Sequence, residues 1–249
     1  MKKTLSALDT NSGVNMQKIF LSGSCRIKNL KKEDSVIPYS SRIHHTHTTK
    51  ECIQYLNYAK GLIDIPAHIE NKVFQSYINN IINEKPIVKI NRKKIQNEYQ
   101  SSSWVVAEIC SRKVYENEGF YLFHMAVDKG NMAYKEFEDK PSSSFKIQTN
   151  EELHQDLKEI KKVTSDKKLL IVSHMNFKQF EVRQDLINSL ESSCDDLGIH
   201  FLDASKIINE QDDIIDVNHY TAKGYSKIKK EVNLILNLEA DTKNNEKYL

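Results

Sequence analysis

Two short segments of this sequence carry side chains with complementary chemistry. One is Gly23-Ser24-Cys25, a thiol and a hydroxyl behind a glycine; the other is Asp216-Val217-Asn218-His219-Tyr220, far along the chain. A thiol or hydroxyl is a poor nucleophile while protonated and needs a neighbouring base. An Asp-x-x-His pair on one loop can set the carboxylate against one imidazole nitrogen, leaving the other to take that proton. Cys25, with Ser24 as the alternative nucleophile, His219 as base and Asp216 as its orienter, is thus a candidate set for covalent acyl chemistry. The plainer readings are a strand-end cysteine that fills space and an aspartate that caps a helix beside a surface histidine.

Other residues invite comparison with this set. His44, His45 and His47 form a histidine-rich loop, and His45-x-His47 is a spacing that could ligate a metal. The following Thr48-Thr49 breaks the His-x-His-x-Asp-His pattern of metallo-β-lactamase-like hydrolases, so substrate contact or a polar loop is the preferred reading of His47 and no metal is expected. His174 follows an apolar run and is a candidate substrate contact. Arg26 and Arg112 also follow apolar runs and are candidates to hold an anionic group. Cys52, Cys110 and Cys194 read as structural. No phosphate-cradling glycine loop or dinucleotide fingerprint is present, and the basic cluster Lys89 to Lys94 has no aromatic support for nucleic acid.

These residues need a scaffold, and the apolar pattern supplies one. Ile19-Phe20-Leu21-Ser22, Trp104 to Ile109, Lys168 to Ser173 and Ile199 to Asp203 read as buried strands. Helices fall between and after them. Thr48 with Glu51 is a capping box, with Gly61 as the stop. Pro66 opens a helix carrying Ile69, Val73, Tyr77 and Ile81, and Asn150 caps one through Leu153, Leu157 and Ile160. Another helix ends at Gly198, and the last begins near Thr221. Residues 128–149 read as an irregular excursion over the surface.

Strand then helix, repeated, predicts an α/β fold with a doubly wound, mainly parallel sheet flanked by helices. Ligands of such sheets sit at the carboxyl ends of the strands, where the candidate residues lie. The first strand of a doubly wound sheet is expected near its middle.

Composition agrees. Among 249 residues, 39% are hydrophobic, and 36 basic against 34 acidic side chains leave a net charge of +2, which marks out no polyanionic partner. Seven glycines and four prolines exclude collagen-like and Pro-rich disordered classes, and four cysteines without a CxxC pair exclude a disulfide scaffold. No run approaches the roughly 18 to 20 apolar residues of a membrane helix, and Met1-Lys2-Lys3 precedes no apolar core of a signal peptide. The expectation is a cytoplasmic protein: a flexible segment at 1–17, one domain at 18–238 and a polar tail at 239–249.

The order and spacing of the two motifs resemble the SGNH/GDSL hydrolase superfamily, in which a first strand ends in Gly-Asp-Ser and a late Asp-x-x-His precedes the last helix. Lys18 to Cys25 lines up with that opening and Asp216 with His219 matches the closing motif, so the resemblance spans roughly residues 18–235. Cys25 falls where the family has its serine and Ser24 where it has its aspartate; Gly-Ser-Cys is similar to the GSCFA branch and to capsule-biosynthesis acetyltransferases that open Gly-Asn-Cys-Gln. Thr48 falls near the family's oxyanion glycine and Ser111 near its oxyanion asparagine, neither of which is retained.

The resemblance implies a three-layer sandwich and an acyl-group enzyme, either an esterase or an O-acyltransferase acting on a glycan. It implies no resident cofactor, with an acyl donor such as acetyl-CoA entering as substrate and a small molecule or glycan as acceptor. Two other readings stand beside it. One is a repurposed fold that binds a carbohydrate or a protein partner; the other is a metal-dependent hydrolase built on His45 and His47.

Overall fold

Apolar runs with buried residues at every position need cover on both sides, and the fold provides it. The computed structural model describes residues 18–28, 46–74, 90–128, 144–176, 180–209, 212–216 and 218–245. In chain order its elements begin with β1 (Ile19–Ser22), α1 (Cys25–Lys28), α2 (Thr49–Lys60), α3 (Ala67–Val73), α4 (Arg92–Gln100), β2 (Trp104–Ile109), β3 (Lys113–Asn117), β4 (Phe120–Tyr121) and α5 (His124–Val127). They continue with β5 (Ser144–Ile147), α6 (Asn150–Val163), β6 (Lys168–Ser173), α7 (Glu181–Leu197), β7 (His200–Leu202), β8 (Ile214–Asp216), β9 (His219–Tyr220) and α8 (Ala222–Asn245).

Four strands form the expected parallel sheet, in the order β1-β2-β6-β7. Leu21 lies beside Val106, Val106 beside Leu170 and Leu170 beside His200. Successive strand residues face opposite sides. Phe20, Val105, Ala107 and Ile171 therefore pack against Leu56 of α2, Ile95 of α4, Leu157 of α6 and Leu190 of α7. Leu21, Val106, Leu170 and Val172 face the other layer, which holds Ile228, Val232 and Leu236 of α8. Burial on both faces explains why the strands read as unbroken apolar runs.

One expectation about this sheet changes. Among the described residues β1 pairs with β2 alone and forms an edge, so it is not near the middle. Its link to the Asp216–His219 segment is made by side chains reaching across.

Helix boundaries follow local chemistry. The Thr48 hydroxyl accepts from Glu51 N–H while the Glu51 carboxylate accepts from Thr48 N–H, and α2 ends on Gly61 at φ 78°. For α6 the cap is Thr149, one residue before the expected Asn150, with the same reciprocal bonds to Glu152. Gly198, at φ 59°, closes α7. α3 ends at Val73, and Tyr77 and Ile81 lie outside the described residues. The excursion at 128–149 contains β5, which pairs antiparallel with β3; residues 129–143 lie outside the described residues. β3 and β4 form a hairpin whose Glu118 and Gly119 both have positive φ, the two-residue turn that suits twisted strands. α8 runs to Asn245, into the stretch read as a tail. No helix among the described residues is long and apolar enough to cross a membrane.

Candidate active site

The site is built at the carboxyl end of β1. A Cβ at Gly23 would lie 2.8 Å from the Glu108 Cβ and 2.8 Å from Ile27 Cγ2, so glycine lets β1 close onto the end of β2. Ser24 is buried beneath this turn. Its N–H donates to Glu108 Oε2 at 2.9 Å and its hydroxyl donates to the same oxygen. Cys25 opens α1 partly exposed and is in no disulfide. Of the two candidate nucleophiles, Cys25 is partly exposed, whereas the Ser24 hydroxyl is held against a buried carboxylate.

The second motif is shaped by the hairpin of β8 and β9, which pairs Asp216 with His219 across an irregular register. The Asp216 carboxylate accepts from Asn218 N–H at 2.7 Å and from His219 Nδ1 at 2.8 Å. These two donors hold the Asp216 carboxyl below its ordinary range, the His219 bond most of all. With Nδ1–H given to Asp216, Nε2 carries the lone pair, the tautomer a general base requires. Both side chains are about half exposed, at 47% for His219 and 50% for Asp216.

Between the motifs lies a residue the sequence reading missed. Glu108 is buried within β2, and its Oε1 accepts from Arg26 Nε at 2.6 Å. Arg26 is itself buried, and its Nη1 donates to the Asn218 carbonyl at 2.9 Å. The residue after Cys25 is thereby bonded to the residue before His219. The only sequence signal for Glu108 is a carboxylate inside an otherwise apolar strand, where an unpaired charge would be costly. Arg26, expected to hold an anionic group of a substrate, is instead buried and paired with this carboxylate of the protein itself.

The other candidates divide. His47 is brought to the end of β2, where its carbonyl accepts from Cys110 N–H at 2.9 Å and Ser111 N–H at 3.0 Å. Its ring stacks on Phe123, and its Nδ1 faces His124 Nδ1 at 3.1 Å, so one ring donates and the other accepts. Burial pushes His124 down to about 4, which keeps it neutral. The Ser111 hydroxyl accepts from Lys113 N–H at 3.0 Å and retains its own proton to donate. Thr48, expected at the oxyanion position, instead has both hydroxyl and N–H turned to Glu51 as the cap of α2. His174, expected to touch substrate, is buried with Nδ1–H given to the Met175 carbonyl at 2.6 Å. Burial, reinforced by Arg26 and Arg183, pushes it down to about 2. Arg112 is buried between Gln148 and the Asp185–Ser189 turn of α7. No cluster of three or more metal-ligating side chains occurs among the described residues, and His44 and His45 lie outside them.

Comparison with known proteins yields one family. The model of the TviD N-terminal domain matches residues 17–143, about half of the chain. No curated protein sequence matches the chain. Among solved structures, the native aryl esterase of M. Smegmatis is similar at a TM-score of 0.43 and 10% identity, over 90% of this chain and 99% of that one. The periplasmic domain of the lipopolysaccharide acetyltransferase of Salmonella ser. Paratyphi A is similar at 0.40 and 13% identity, over 87% and 83%.

Proposed function

The chain belongs to the TviD N-terminal domain family, and from that premise and the site geometry we propose that it is an acyl-group enzyme with Cys25 as nucleophile, His219 as general base and Asp216 as its orienter. The observation that carries this reading is the Arg26–Asn218 hydrogen bond, which ties the turn bearing Cys25 to the hairpin bearing the Asp216–His219 pair. Ser24 is the weaker nucleophile because its hydroxyl is held by Glu108.

In the first half-reaction His219 Nε2 takes the Cys25 thiol proton as sulfur attacks the acyl carbonyl carbon. The carbonyl electron pair moves to oxygen, for which the Ser111 hydroxyl is the proposed donor. Collapse breaks the bond to the leaving group, which departs with the proton from His219, and leaves a thioester on Cys25. In the second half an alcohol or water gives its proton to His219 and attacks the thioester. The new ester or acid leaves, and the sulfur recovers its proton. Transfer to a glycan hydroxyl is the proposed outcome and hydrolysis the default when no acceptor is bound, with a donor such as acetyl-CoA as substrate.

Turnover of p-nitrophenyl acetate and of acetyl-CoA, with and without oligosaccharide acceptors, tests this. His219→Ala is expected to lower kcat by about 10²- to 10⁴-fold, the usual contribution of a positioned base. Turnover unchanged in His219→Ala overturns the proposal.

A further inference from the structure

We propose that Glu108 and Arg26 are positioning residues, a buried ion pair that fixes the His219 hairpin against the Cys25 turn. The inference rests on the reading of Cys25 and His219 as nucleophile and base. One carboxylate grips both neighbours of Cys25: Oε2 takes the N–H and hydroxyl of Ser24, and Oε1 takes Arg26 Nε at 2.6 Å. The same guanidinium extends Nη1 to the Asn218 carbonyl at 2.9 Å. Arg183 of α7 also donates to Asn218, at Oδ1 and 3.1 Å, so the residue preceding His219 is held by two arginines.

The placement of the pair argues for geometry over stability. Glu108 stands in a strand whose other residues are all apolar, and burying two charges costs desolvation that an apolar pair would avoid. What an apolar pair cannot do is direct several hydrogen bonds at once. An arginine fork donates in two fixed directions, here to Glu108 and Asn218, whereas a lysine presents one point charge. Arg26→Lys therefore keeps a cation beside Glu108 and loses the bridge to the hairpin.

The test measures the rate at which iodoacetamide alkylates Cys25 at neutral pH, assigned by peptide mapping, together with kcat and KM for p-nitrophenyl acetate. In the parent protein the rate is expected to depend on His219, falling in His219→Ala. Arg26→Lys and Glu108→Gln are expected to reduce both the His219-dependent alkylation and kcat by about ten- to a hundredfold, the scale of a 1 Å misplacement, with KM within about twofold. Should Glu108→Gln fail to fold, Arg26→Lys decides. Folded Arg26→Lys protein with parental alkylation and kcat overturns the positioning role while leaving the nucleophile and base intact. Alkylation and turnover of the parent that are indifferent to His219→Ala overturn the underlying reading, and the positioning role with it.

Discussion

Asp216 makes two hydrogen bonds that each do something different: one shapes the hairpin through Asn218 N–H, the other sets the His219 tautomer. Asp216→Asn keeps the shape but exchanges an acceptor for a group that can also donate, so kcat is expected to fall by about 10²- to 10⁴-fold in steady-state assays. At Ser24 the expected effect is on stability. Ser24→Ala deprives the buried Glu108 carboxylate of a donor and should cost about 1–3 kcal/mol in denaturant unfolding. His174 and His124 give a pH dependence. Both bind protons more weakly folded than at their ordinary 6.5, so below that pH the unfolded chain takes up more protons and the fold loses stability. The unfolding temperature should therefore fall as pH drops from 6.5 through about 4, and less steeply in His174→Gln; a flat profile contradicts it. The Asp216–His219 hydrogen bond was legible because its two residues stand three apart on one loop. Glu108 was not, since its partner Arg26 lies far away in sequence and nothing beside it announces a bond.

At the scale of elements, the hairpin that carries His219 is anchored by the start of α8. Thr221 N–H donates to the Asp213 carbonyl at 2.8 Å, and the buried Asp213 carboxylate accepts from Lys227 at 2.5 Å and Asn209 N–H at 2.8 Å. Burial alone would raise the Asp213 carboxyl, but the Lys227 ammonium and the Asn209 bond outweigh it and hold it below its ordinary range. A Cβ at Gly224 would sit 2.2 Å from the Asp213 carbonyl oxygen. Gly224→Ala must therefore push α8 from the hairpin, and a loss of about 1–3 kcal/mol is expected in thermal or denaturant unfolding. Elements governed by local rules were readable: the capping box of α2, the glycine stops of α2 and α7, the apolar strands. α4 was missed because only Ile95 and Tyr99 mark its buried face. β3 and β5 were missed because half-exposed strands with charged alternation carry little apolar signal.

Across the whole molecule, the α/β class and the parallel sheet followed from alternating strand and helix signals, whereas strand order did not, because period-two burial fixes faces and not neighbours. The position of β1 at the sheet edge among the described residues shows what this leaves out: the two motifs meet through Arg26 and Asn218, a contact between residues with no sequence relation. The central claim is that this meeting makes Cys25 a nucleophile. The most direct measurement is intact-mass spectrometry of the protein after brief exposure to p-nitrophenyl acetate, with peptide mapping of any adduct. The account predicts one acetyl group as a thioester on Cys25, retained in Ser24→Ala and absent from Cys25→Ala and His219→Ala. An adduct on Ser24, or one that forms on Cys25 equally fast without His219, would contradict it.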